Sequence, residues 1–187
     1  LAGALLVLAI PGKQQTLIKW SALAVSLGTL GFAGSLLTKL DLTSGALQLT
    51  ESRNWIPYFG VSWAMAVDGI AATLIVMATI LVPLVIVAGW WDAENSERGS
   101  VKEFFAWILV LEACMVGVFA ATDVFLFYVF FEAMLVPVYF LIGRFGGVQR
   151  GYAALKFLLY SLVGGLFMLA SLVGLYIASG RELGKGT

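Results

Sequence analysis

The chain has 187 residues, 61% of them hydrophobic and only 12% charged, whereas a soluble domain carries about a quarter charged residues. Its eleven basic residues balance eleven acidic ones, so nothing argues for nucleic acid or an acidic surface as a partner. With no histidine and one cysteine, Cys114, the chain cannot by itself supply haem ligands, a Cys/His zinc site, an iron–sulfur cluster or an internal disulfide.

Several apolar stretches of about twenty residues define an all-α, polytopic transmembrane helical bundle. The first apolar run, residues 1–10, is too short to span a bilayer, and no basic segment precedes it as a signal peptide requires. The start at Leu1 and the RELGKGT ending directly after an apolar span predict an incomplete polypeptide, cut in its first helix and after a later one. Full spans are expected at 16–38, 62–91, 103–121, 123–143 and 152–178, which with the stub at 1–10 make about six in a single membrane domain over 1–187.

Residues 39–60 hold Asp41, Glu51, Arg53, Asn54 and Pro57 and are expected to form an extramembrane loop. DAENSERGSVK, residues 92–102, is a second charged loop. RFGGVQRG, residues 144–151, is a short basic turn whose glycines can separate two helices. Spans four and five have almost no connection and form a tight hairpin. Asp123 is placed to cap span five, and Asp68 to face the start of span three as a dipole partner at the membrane surface.

Lys13, Lys19, Arg98, Lys102, Arg144 and Arg150 fall on one side, and Lys39, Arg53, Arg181 and Lys185 on the other. The excess predicts a cytoplasmic first side and an N-terminus outside. Trp63, Trp90, Trp91 and Trp107 fall near expected span ends, where interface aromatics concentrate.

Glu132 stands in the middle of DVFLFYVFFEAMLVPVYFLIG, near the centre of the bilayer. An acid there costs roughly 3 kcal/mol to insert, and such residues mark ion or proton pathways by default. Low dielectric favours the neutral carboxyl and a nearby cation the charged one, so a group between those limits can take and release protons. The competing reading is a protonated acid that only joins two helices.

Pro137, five residues on, frees a backbone carbonyl near Glu132, either for hydration or as a packing accommodation; Pro83 in span three has no ionisable residue near it in sequence. Glu112 lies about as far before the span four–five turn as Glu132 lies after it. The two acids form a coupled proton-hopping pair if they face each other, and if not one of them is structural. Lys156, at the start of span six, is either a snorkelling lysine or an entry point for protons. Gly164, Gly165 and Gly174 on the same span suggest close helix packing.

The run FLFYVFFEAMLVPVYFLIGRFGG, with WIPYFGVSWAMAVDGI before it and ALKFLLYSLVGG after it, resembles the antiporter-like M subunits of proton-pumping NADH–quinone oxidoreductase, complex I. The likeness runs from about residue 16 onward, and the Glu132, Leu135 and Pro137 pattern favours the M type over the L and N types. It implies an antiporter-like fold and makes Glu132 the proton-translocating glutamate of helix five, paired in the family with a lysine on a later helix. Lys156 matches a family lysine at the start of helix six, and Glu112 is matched in only some members.

The resemblance further implies flavin, iron–sulfur clusters and quinone in other subunits, with none held by this chain. The expected partners are the other membrane-arm subunits, especially the L- and N-type ones, and membrane lipid, in a bacterial cytoplasmic membrane. Two further readings stand beside it: a subunit of a multisubunit sodium–proton antiporter, and a structural membrane scaffold.

Overall fold

The computed structural model describes residues 1–41, 46–91 and 100–183, with side chains as far as Ala178 apart from Phe59. Arg98, Lys185 and the Arg181 side chain, used above for orientation, lie outside these.

Helix α1 (Ala2–Ala9) is short, and α2 (Gln15–Leu37), α3 (Gly69–Ala88), α4 (Val101–Ala120), α5 (Val124–Phe145) and α6 (Arg150–Leu183) follow. Five helices, α2 to α6, are long and apolar enough to cross a membrane. They run up and down, and neighbours in sequence pack side by side: α2 on α3, α3 on α4, α4 on α5, α5 on α6, with α1 against α4.

The stretch between α2 and α3 is built differently from the expectation. Strands β1 (Gln48–Ile56) and β2 (Val61–Val67) pair antiparallel, joined by a 3-10 turn at Pro57–Phe59. Gly60 closes that turn at φ +67°, a left-handed conformation that a glycine adopts without steric cost. Span three therefore begins at Gly69 and not at residue 62, and Trp63 sits on a strand. The apolar VSWAMAV continues the hydropathy of the helix after it, but Asp68 divides the two. Its Oδ1 accepts from the Ala71 N–H at 2.7 Å, capping α3.

Two buried apolar clusters hold the helices together. One gathers Ile18 and Ala22 of α2, Val82 and Ile86 of α3, and Phe105 and Leu109 of α4, with α1 against them. The other joins Ala33 of α2, Ala72 and Ile75 of α3, and Val67 of β2, with Val116 and Phe119 of α4 packed on it. Gly117 lets α4 and α5 approach closely: a Cβ there would stand 2.5 Å from the Phe130 ring.

The end of the bundle where α4 meets α5 is locked by one carboxylate. Asp123 Oδ1 accepts from the N–H groups of Phe125 and Leu126 at 2.9 and 3.0 Å, capping α5. Its Oδ2 accepts from the Ser62 N–H at 3.0 Å, and the Thr122 N–H donates to the Ala64 carbonyl at 3.0 Å. Rings continue the seal, with Trp55 against Phe125 and Trp63 against Phe130.

The opposite end carries Lys19, Lys102 and Arg144. Lys102 Nζ donates to the Leu8 carbonyl at 2.9 Å, and Arg144 pairs with Glu103. Lys19 is buried there, its Nζ 5.3 and 5.1 Å from the ring centres of Trp90 and Trp91.

Candidate functional site

Glu132 occupies the middle of α5, a helix started by Asp123 and continuous through buried Pro137. Its side chain is turned to α6. Oε1 is shielded from solvent and has no hydrogen-bond partner. It lies against Gly165, where a Cβ would overlap Oε1 and stand 2.8 Å from the carboxyl carbon. The glycine is therefore what makes room for the acid. Tyr128, one turn earlier on α5, is a titratable neighbour on which Glu132 acts electrostatically.

Glu112 has the depth expected of it but faces elsewhere. It lies eight residues before the end of α4 at Ala120 (120 − 112), and Glu132 lies eight after the start of α5 at Val124 (132 − 124). On α4, Glu103, Trp107 and Gly117 meet α5 through Arg144, Phe140 and Phe130, and Phe104 meets Phe145. At 3.6 residues per turn Glu103, Trp107 and Gly117 fall roughly 140–180° round the helix from Glu112, and Phe104 about 80°. Glu112 is 3% exposed, on the face packed against α1, α2 and α3. The two acids share a level and point apart. No direct hopping pair forms.

Lys156 is not brought to Glu132 either. It is exposed on α6, with Nζ 5.7 and 6.0 Å from the rings of Tyr152 and Tyr160. Gly165 is nine residues further on (165 − 156), roughly half a turn round the same helix.

Two buried polar residues escaped the sequence reading, Ser26 on α2 and Thr79 on α3, and Lys19, counted there only among the basic residues that set orientation, is buried as well. In α2 the spacing of Lys19, Ala22, Ser26 and Ala33 traces one buried face of small and polar side chains, a signal available in the sequence. Pro83, set aside because no ionisable residue is near it in sequence, is one turn from the hydroxyl of Thr79 on the buried side of α3.

The two-stranded cap and the up-and-down array of apolar helices make up an antiporter-like membrane fold, with an acid at mid-depth facing a glycine. Residues 121–185 match the family described as NADH:quinone oxidoreductase/Mrp antiporter, TM. Within that class the chain is homologous to the M-type subunits. It is 39% identical to NADH-quinone oxidoreductase subunit M of Mycobacterium tuberculosis, over 97% of this chain and 37% of that protein. The corresponding subunit of Rhodobacter capsulatus is 41% identical over 87% of this chain and 30% of its own length. Subunit M of the F(420)H(2) dehydrogenase of Methanosarcina mazei is 35% identical over 87% and 32%.

Among solved structures, a chain of respiratory complex I from Thermus thermophilus with bound NADH superposes with a TM-score of 0.71 at 31% identity. The match covers 95% of this chain and 34% of that one. The chain thus spans about a third of the length of the relatives it matches.

Proposed function

We propose that this chain is part of a proton-translocating membrane-arm subunit of NADH–quinone oxidoreductase, with Glu132 as its proton relay. The observation that carries this is the Glu132 carboxyl at mid-depth, shielded, unpartnered at Oε1 and accommodated by Gly165. A carboxyl kept only to tie helices together is expected to spend its hydrogen bonds on a neighbour. Moving one proton against about 180 mV takes on the order of 4 kcal/mol. On this reading, a cation brought near Glu132 and withdrawn supplies energy of that size by favouring one protonation state and then the other.

The chemistry of electron transfer belongs to other chains, which would hold flavin, iron–sulfur clusters and quinone. The names of the relatives support that division, since the same membrane piece recurs in an NADH-quinone oxidoreductase and an F(420)H(2) dehydrogenase. Other membrane-arm subunits, the L and N types foremost, are the proposed neighbours, in a bacterial cytoplasmic membrane. Lys13, Lys19, Lys102, Arg144 and Arg150 gather at one end, which supports the reading of that end as cytoplasmic and of the start of α1 as external. Lys156, in the same half of α6, would then meet protons arriving from the cytoplasm without handing them to Glu132 directly.

The test is Glu132→Gln in the full-length subunit of the assembled enzyme. Proton pumping per NADH oxidised should fall severalfold while the complex still assembles; pumping at the wild-type level removes the proposal. A sodium–proton antiporter subunit is the second reading, favoured by the family description, which names both kinds of protein. Copurification with flavin and iron–sulfur subunits separates the two. A pure scaffold predicts instead that Glu132→Gln alters assembly and leaves turnover untouched.

A further inference from the structure

A second polar level exists away from Glu132, in the half of the bundle made by α2, α3 and α4. Ser26, Thr79 and Glu112 stand one on each of these helices, and their relative exposures are 0%, 0% and 3%. Counting from the basic end, Ser26 is eleven residues into α2 (26 − 15), Thr79 nine from the end of α3 (88 − 79), and Glu112 eleven into α4 (112 − 101). Each is thus roughly 14–17 Å in from that end.

Their faces converge as well. Ala22, Val82 and Ile108, one turn towards the basic end of each helix, belong to a single apolar cluster. Ala33, Ile75 and Val116, on the other side of the same three positions, belong to the second cluster. Both clusters join α2, α3 and α4, and the three polar residues lie on the same faces between them.

The hydrogen-bonding capacity of this level is one-sided. Ser26 Oγ donates to the Leu23 carbonyl at 2.9 Å, and Thr79 Oγ1 to the Ile75 and Val76 carbonyls at 3.0 Å each. Each hydroxyl proton is thereby committed to its own helix, and what remains is oxygen lone pairs. Pro83 adds one more acceptor, because it has no N–H to give to the Thr79 carbonyl one turn below. Glu112 Oε1 is buried with no partner. A buried polar oxygen of this kind calls for a partner, and the single proton a neutral Glu112 carboxyl can offer does not serve acceptors on three helices, which leaves room for a small molecule that donates. Water does so and holds about three hydrogen bonds when buried.

The geometry points to a buried water-binding site at mid-membrane, formed by Ser26, Thr79 and the Glu112 carboxyl. It is set on the face of α4 turned away from α5 and Glu132. Such water gives Glu112 a hydrogen-bond partner that does not involve Glu132, so the assignment stands apart from the pumping role given to Glu132.

The experiment is a water-resolving cryo-electron microscopy map of the intact enzyme, first wild-type and then carrying Ser26→Ala with Thr79→Val. The wild-type map should show density within hydrogen-bonding distance of Glu112 and of the Ser26 or Thr79 oxygen, and the double variant should lose it. A Glu112 carboxyl bonded directly to protein with no such density overturns the proposal. So does density that persists unchanged in the double variant. If the double variant does not assemble, the wild-type map alone decides.

Discussion

Gly165 and Glu132 are fitted to each other across the α5–α6 contact, since the space a methyl group would take on Gly165 is filled by the Glu132 carboxyl. Its neighbour Gly164 meets nothing within 4 Å. Gly165→Ala is therefore expected to push the Glu132 carboxyl, the far end of a flexible side chain, off its place at α6, and so to lower proton pumping with only a small change in stability. Gly164→Ala should do neither. Thermal unfolding and pumping of the two variants, compared in the assembled enzyme, check the pair.

Asp123 serves two elements with its two oxygens. Asp123→Ala should cost about 1 kcal/mol for the lost helix cap. It should also speed hydrogen exchange at the Ser62 amide. Asp123→Asn retains Oδ1 for the cap but turns the second oxygen into a donor. It should release Ser62 while leaving α5 intact, and amide exchange resolved by residue reads the difference.

Lys19 packs its ammonium between two indoles inside the bundle. Removing it as Lys19→Met should cost about 2 kcal/mol, the value of a desolvated cation–π contact. It should also change tryptophan emission, because Trp90 and Trp91 lose the charge beside them. An unaltered emission spectrum in a stable variant contradicts the assignment.

The Arg144–Glu103 pair bridges α5 and α4, with side chains 42% and 35% exposed. Water screens such a pair, so a double-mutant cycle on the two residues should return no more than about 1 kcal/mol. A larger coupling would mean that the pair is enclosed in the assembled enzyme.

The helices and the Asp123 cap were legible because they rest on local signals: runs of apolar residues, and an acid one position before a run begins. Asp68 was read only as a dipole partner, since the apolar VSWAMAV before it hid the start of α3. The β-hairpin was not, because VSWAMAV is as apolar as a helix and its pairing depends on Gln48–Ile56 at a distance in sequence. Glu112 shows the same limit for the site. Its depth could be counted from the α4–α5 turn, but its direction follows from which α4 residues meet α5, a property of packing. Thr79, Ser26 and Pro83 gain meaning only once three helices stand side by side. Glu132 was conspicuous because nothing around it in sequence is charged, whereas the glycine that admits it lies on another helix.

The hydrogen bonds from Asp123 to the start of α5 and to β2 fix the α4–α5 corner at one end of the bundle. At the other end the same two helices are tied by side chains, the half-exposed ion pair and the ring contacts of Phe104 with Phe145 and Trp107 with Phe140. Any swing of α5 against α4 grows with distance from Asp123, and Glu132 rides partway along the helix.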